Sequence, residues 1–170
     1  MKGKTPKDSL TIMTDLVLPG ETNPLDNLFG GELLARMDRA SSIAARRHCN
    51  RITVTASVNH VVFSRAVPVG SVLTIEAKVS RAFHSSMEIF TDVWMEDRES
   101  GERTKVNEGI YTFVAVDRTG APVKVPEIIP ETELEKERYD GALRRKQLSL
   151  VLSKKMKPQD ATELKALFED

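Results

Sequence analysis

The chain has 170 residues, 40% of them hydrophobic and 29% charged, a make-up that fits one globular domain with enough chain for a substantial core. Its 25 Lys and Arg balance 25 Asp and Glu, so no net field draws it to nucleic acid or to a membrane surface. One cysteine, Cys49, excludes an internal disulfide, and no Cys-x-x-Cys pair suggests a metal site. No apolar run is long enough to span a bilayer, and the Lys-containing start lacks a signal-peptide core. A reducing, cytoplasmic setting without membrane insertion is the expectation.

In chain order, Leu10 to Leu18 is apolar with interspersed Thr and is stopped by Pro19-Gly20, which predicts a strand. A loop of turn formers, Glu21 to Phe29, follows. From Gly31 to about Arg47, Leu33, Met37, Ala40 and Ala44 recur at helical spacing, with Leu34, Ser41 and Ala45 beside them. So many small residues predict a helix lying very close to a sheet. Glu32, Arg36, Arg39, Arg46 and Arg47 take the other side, and Arg46-Arg47-His48 suits the negative end of the helix dipole.

Extended chain follows. Ile52 to Phe63 alternates, with Ile52, Val54, Ala56, Val58, His60 and Val62 on one face and Thr53, Thr55, Ser57, Asn59, Val61 and Phe63 on the other. Val72 to Val79, Met87 to Met95 and Val106 to Val116 are three further predicted strands. Ala121 to Pro130, with three prolines, predicts a strap over the surface. Thr132 to Leu152 reads as a charged helix with a sparse stripe of Leu134, Tyr139 and Leu143. A short helix from Asp160 to Phe168 brings Leu164, Leu167 and Phe168 together.

Strand, long helix, then four strands predicts an α+β domain: an antiparallel sheet of five or six strands with one central helix, residues 1–130, followed by a C-terminal helical extension, 131–170, packed on the domain or the oligomer. One helix cannot cover both faces of such a sheet, so a second copy or another layer is expected over the rest.

Thr22 to His48 combines a polar loop, a helix start with two glycines, and an acid two turns on among apolar and small residues. On spacing alone each part has a plain reading. Asn23 before Pro24 caps a turn, Gly30-Gly31 joins loop to helix, and Asp38 is a surface acid paired with Ser42 or Arg39. His48, His60 and His84 are too scattered for a metal site, and Cys49 reads as an inert thiol.

Taken together, Thr22-Asn23, Phe29-Gly30-Gly31, Leu34, Met37-Asp38 and Ala44-Ala45-Arg46-Arg47-His48 resemble the signature of the hotdog-fold acyl-CoA thioesterases, in the branch of bacterial acyl-CoA hydrolases and cytosolic long-chain acyl-CoA hydrolases. Val54-Thr55-Ala56-Ser57-Val58, Ser86-Met87-Glu88, Phe113-Val114-Ala115-Val116-Asp117, Gly120-Ala121-Pro122, Val125-Pro126 and Pro130-Glu131-Thr132-Glu133 are similar too. The resemblance spans about residues 10–145. It implies a sheet wrapped around a long helix, dimers assembled as a trimer of dimers, and active sites at the dimer interface. The implied activity is hydrolysis of an acyl-CoA, of medium to long chain, to free acid and CoA without a cofactor. The family's functional Asn and Asp match Asn23 and Asp38, which would meet across the interface.

Physical chemistry agrees with those roles. Helix-start amides at Gly30 and Gly31 can polarise a thioester carbonyl, Asp38 can act as general base on water, and Asn23 can hold the water or the carbonyl. Two departures stand out. Asn59 replaces an acid common in relatives, and Phe83-His84-Ser85-Ser86 replaces a Gly-Arg-Thr/Ser-Ser turn that lies near the CoA nucleotide in the family. The implied CoA-contacting set is Arg81, His84, Ser85, Ser86 and Asn59, with Arg81 or a partner's arginine replacing the missing one. The rival readings are a non-catalytic acyl-CoA-binding hotdog and a hotdog dehydratase, which would want a His–acid pair on the helix.

Overall fold

The computed structural model describes residues 1–97 and 99–168. It divides into two compact units, Met1–Ile129 and Pro130–Asp170. The first unit holds strand β1 (Thr11–Leu16), helix α1 (Gly30–Cys49), and strands β2 (Ile52–Phe63), β3 (Val72–Ala82), β4 (Ser86–Glu96) and β5 (Arg103–Val116). The strands form one antiparallel sheet in the order β1-β3-β4-β5-β2. Helix α1 touches all five, so the sheet curves around it.

Small side chains let the helix sit this close. Met37, Ala40, Ala44 and Ala45 are fully buried, and the Ser41 hydroxyl hydrogen-bonds that of Thr91 at 3.1 Å. Thr91 pairs with Gly109 across β4 and β5. A Cβ on Gly109 would stand 2.6 Å from Met37 Cε, so glycine here makes room for the helix. Asn50 ends the helix in the left-handed conformation, φ 52°, its N–H returning to Arg46 O at 2.8 Å, the usual cap for an Asn.

Arg36 does not join the charged face. It is only 2% exposed, because it follows Leu33 by three residues and precedes Ala40 by four on the buried stripe. Burial is tolerated through partners: Nη2 reaches Glu21 Oε2 at 2.7 Å and Leu16 O at 3.2 Å, and Nε lies 3.3 Å from Asp15.

Strand β2 has the expected span but not the expected simple alternation. It is an edge strand, and its register slips between Thr55 and Ser57 and again between Asn59 and Val62. Each slip inserts an extra residue opposite β5, a β-bulge, which reverses the facing of the later residues in the strand. His60 lies in the second bulge with φ 49°. No β2 residue is fully buried, and Ile52 and Phe63 are more than half exposed.

The segment Ala121–Pro130 is extended but not merely superficial. Val125 and Ile128 are buried, and backbone bonds tie Val123 to Ala115, Val125 to His84, and Ile129 and Glu127 to Lys4. In the second unit, α2 (Glu133–Leu152) begins with a capping box between Thr132 and Glu135. Its buried residues are Glu135, Ala142 and Gln147, not the stripe of Leu134, Tyr139 and Leu143. The box holds Glu135 inward, and Gln147 accepts from Leu164 N at 2.8 Å. The last helix, α3, covers only Thr162–Lys165, and Leu167 and Phe168 remain 55% and 81% exposed. No helix among the described residues is long and apolar enough to cross a membrane.

His48 is fully buried, its Nε2 2.7 Å from Pro126 O and its Nδ1 without a partner. A second ring proton would find no acceptor, and desolvation holds the imidazole's pKa below its ordinary 6.5. The contribution to stability is therefore complete above that value and is lost as pH falls below it towards the lowered folded-state value. Urea melts at about pH 7.5 and 5.5 should show this loss in wild type and a weaker one in His48→Gln; an identical pH dependence would remove the assignment.

Candidate active site

The loop before α1 is built by Asn23. Its Oδ1 accepts from Leu25 N at 2.9 Å and Asn27 N at 3.3 Å, while its backbone pairs with Asn27 and Asp26. Asp26, with φ 56°, turns the loop, and Leu28 N and Val69 N pin it to the 67–69 segment. The turn-cap reading of Asn23 is thus correct for its oxygen. The Nδ2 group donates to nothing among the described residues and is free for a ligand.

At the helix start, Phe29 N is bonded to Glu21 O, and the amides of Glu32 and Leu33 both return to Phe29 O. The amides of Gly30 and Gly31 carry no acceptor among the described residues. They form the positive end of a 20-residue helix. Phe63 lies over Gly30 and Phe29 over Gly31, which makes an apolar surround for the amides.

Asp38 is half-buried on the face of α1 towards β2. Its Oδ1 accepts from Thr55 Oγ1 at 2.9 Å, which leaves Oδ2 unpartnered among the described residues. Thr55 is the last residue before the first bulge of β2, so the strand irregularity fixes which side chain reaches the acid. Beneath them Tyr111 is buried, its hydroxyl donating to Leu34 O at 3.1 Å. Burial first, and the nearby Asp38 charge second, push the phenol's pKa well up, so it stays protonated and anchors the turn before Asp38. Sequence reasoning placed Thr55 in a family motif without a role; the available signal was a Thr facing the helix acid.

One chain does not assemble these groups into one site. Gly30 and Gly31 precede Asp38 by eight and seven residues, which at 1.5 Å per residue is roughly 10–12 Å along the helix. A carbonyl at the amides and a water at Asp38 cannot then react with each other. No hydrogen bond joins Asn23 to Asp38.

The remaining predicted residues lie elsewhere. Cross-strand pairing sets Ser57, Thr112, Glu88 and Arg81 in one row, on the sheet face opposite the one that carries Thr55, Phe113 and Met87. Ser86 and Asn59 share that outer face, and Asn59 Nδ2 donates to Ser57 Oγ at 3.0 Å. Arg81 stacks on Phe83 with its guanidinium carbon 5.7 Å from the ring centre. His84 and Ser85 form the β3–β4 turn, held through their carbonyls by Val125 and Ala115. None of the five reaches the Asp38 of its own chain. Among the described residues no group of three or more His, Cys, Asp or Glu is placed to hold a metal.

A cleft of about 650 Å³ opens beside the far end of α1, lined by Ser42, Arg46, Asn50, Arg51, Thr53 and Arg118, with Ile52, Val116 and Asp117. Ser42 and Arg46 follow Asp38 at four-residue steps, so the cleft continues the Asp38 face of the helix.

Comparison with known proteins gives a consistent result. The family model for the thioesterase superfamily matches residues 25–102. The chain is 40% identical over 139 residues to an uncharacterized acyl-CoA thioester hydrolase of Bacillus subtilis, covering 82% of this chain and 81% of that one. It superposes with a TM-score of 0.83 on an apo-hexameric acyl-CoA thioesterase, at 39% identity over 86% of this chain and 94% of that one. It matches as well, with TM-score 0.83 and 31% identity over 98% and 99% of the two chains, an acyl-CoA hydrolase of Staphylococcus aureus in complex with butyryl coenzyme A, coenzyme A and coenzyme A disulfide. That hydrolase has also been solved with an aspartate, a threonine or an asparagine replaced by alanine.

The Arg36 contacts hold the loop that carries Asn23 to the helix. Arg36→Met should lower stability by about 2 kcal/mol, because Asp15 and Glu21 can rehydrate once their partner is gone. Thermal melts read the loss, and an unchanged midpoint would show that the buried guanidinium does not organise the loop.

Proposed function

Since the chain belongs to the acyl-CoA thioester hydrolases of the thioesterase superfamily, we propose that it hydrolyses an acyl-CoA with two half-sites from different copies. The observation that carries this reading is the separation within one chain between the free Gly30 and Gly31 amides and the Asp38–Thr55 pair. One copy supplies Asn23 and the helix-start amides, and its partner supplies Asp38 and Thr55. The almost unburied edge strand β2 supports such a pairing, because an edge left this open invites a second copy. The hexameric neighbour fits a trimer of such dimers.

In this reading the thioester oxygen rests on the Gly30 and Gly31 amides, where the helix dipole and close backbone approach favour developing negative charge. The Asn23 Nδ2 group steadies the water or the carbonyl. Thr55 holds one oxygen of the Asp38 carboxylate, and the other takes a proton from water as the water oxygen bonds to the acyl carbon. The carbon–sulfur bond then breaks, and the thiolate leaves with the proton returned from Asp38. Protein groups and water suffice, and CoA enters only as part of the substrate. Phe29 and Phe63 beside the amides offer an apolar wall for an acyl chain, which supports a fatty acyl group of medium to long chain. Arg81, Asn59 and the 83–86 turn, on the other face of the sheet, can meet only a substrate held by another copy.

Asp38→Ala should reduce acyl-CoA turnover by about 10³-fold, and Thr55→Ala by about tenfold with Thr55→Ser recovering most of it. Release of free thiol from acyl-CoAs of increasing length reads both effects and the chain preference. Near-wild-type turnover by folded Asp38→Ala would remove the mechanism, and binding without thiol release by wild type would favour a non-catalytic acyl-CoA binder.

A further inference from the structure

Asn107 on β5 is 1% exposed, and its Oδ1 and Nδ2 are both buried without a hydrogen-bond partner among the described residues. Arg36 and His48 each leave one buried nitrogen unpaired, yet each bonds through another atom. The Asn107 side chain bonds through neither of its groups. A buried amide is normally paired, because a donor or acceptor stripped of water and left bare is costly. An asparagine here is explained by a partner that the folded chain itself does not supply.

Strand register places the group. Ile75, Val93, Asn107 and Phe63 form one cross-strand row over β3, β4, β5 and β2. Two residues along β5, Gly109 makes room for Met37 of α1, so the row faces the helix. Ile75 and Val93 are buried, which leaves Asn107 as the polar member between aliphatic side chains and Phe63. Phe63 ends β2, is 54% exposed, and rests its ring against Gly30. It therefore links the helix-start amides to Asn107, and an exposed ring turns aside readily. An acyl chain that leaves a carbonyl at Gly30 and Gly31 along Phe63 is directed to the Asn107 row.

The unpaired groups select what they would meet. A hydroxyl can donate to Oδ1 and accept from Nδ2, which satisfies both. A ketone leaves Oδ1 bare, a carboxylate does the same and buries a charge, and an alkyl chain pairs with neither. We propose that Asn107 is a specificity residue that hydrogen-bonds a hydroxyl carried on the acyl chain, so that a hydroxyacyl thioester is favoured over the unsubstituted acyl of equal length. The proposal rests on the hydrolase reading above and deepens it by naming the substrate class.

The full-length wild type and Asn107→Leu are compared on octanoyl-CoA and on octanoyl-CoAs with a single hydroxyl at the third, fifth or eighth carbon. Wild type should favour at least one hydroxylated thioester by about tenfold in kcat/KM, and Asn107→Leu should lose that preference. Asn107→Ala reads the same ratio where the leucine variant folds poorly. Thioether analogues of these substrates, which cannot be hydrolysed, are titrated calorimetrically and should show the same discrimination in binding. A purely structural amide, held by an internal water, predicts instead variants that melt lower and discriminate as wild type does. That result, or turnover of octanoyl-CoA with no hydroxylated substrate favoured by wild type, would overturn the assignment and leave the hydrolase reading standing. Tighter binding of a hydroxylated thioether by wild type than by the variants, with no turnover of any thioester, would sink the hydrolase reading and keep Asn107 as the hydroxyl-binding residue.

Discussion

The structure depends on how closely α1 can lie on its sheet. Ala40, Ala44 and Ala45 present almost no side chain, Ser41 meets Thr91 hydroxyl to hydroxyl, and Gly109 yields the space that Met37 fills. A larger residue at any of these positions would push the helix off the strands, at a typical overpacking cost of about 1–3 kcal/mol. Close contact is also what brings Asp38 within hydrogen-bonding distance of Thr55 on the edge strand. The core packing and the site geometry are therefore one constraint seen at two places along the same helix.

The same helix divides the chemistry. Its amino end offers unbonded amides beside the Asn23 loop, its middle carries the acid, and its carboxyl end is crowded with arginines. A rigid helix keeps these three regions at fixed separations. The amide end and the acid are roughly 10–12 Å apart along the helix, too far to serve one carbonyl. The proposed division of labour between copies rests on that separation, and β2, with little buried surface of its own, is an open edge strand.

Much of this was legible in the residue pattern. The 3.6-residue repeat of small and apolar side chains marked α1 and its buried face, and apolar runs bounded by turn residues, with alternation in β2, marked all five strands within a few residues. Family-spaced residues pointed to Asn23, Gly30, Gly31 and Asp38. The features that escaped the pattern did so for specific reasons. A bulge adds one residue without changing composition, so the pattern could not show that Ser57 and Asn59 turn away from Thr55. Arg36 looked like a surface charge because its partners, Asp15 and Glu21, lie 21 and 15 residues away in sequence. Arg46, Arg51 and Arg118 are spread over three elements, and only the folded chain shows that they share one cleft. The expected C-terminal stripe failed because a capping box turns Glu135 inward and a side-chain amide bond draws in Gln147, while the apolar residue withdrawn from solvent is the small Ala142 rather than Leu134, Tyr139 or Leu143.

The central claim, that each catalytic centre takes Asn23 and the helix-start amides from one copy and Asp38 from another, is tested most directly by complementation. Asn23→Ala and Asp38→Ala proteins, each nearly inactive alone, are refolded together in equal amounts and assayed for thiol release. A site shared between copies predicts recovery of about a quarter of wild-type activity, because half of randomly formed dimers are mixed and each mixed dimer holds one intact site of two. Recovery no greater than the sum of the two separate variants would contradict the account and place Asn23 and Asp38 in the same chain's site.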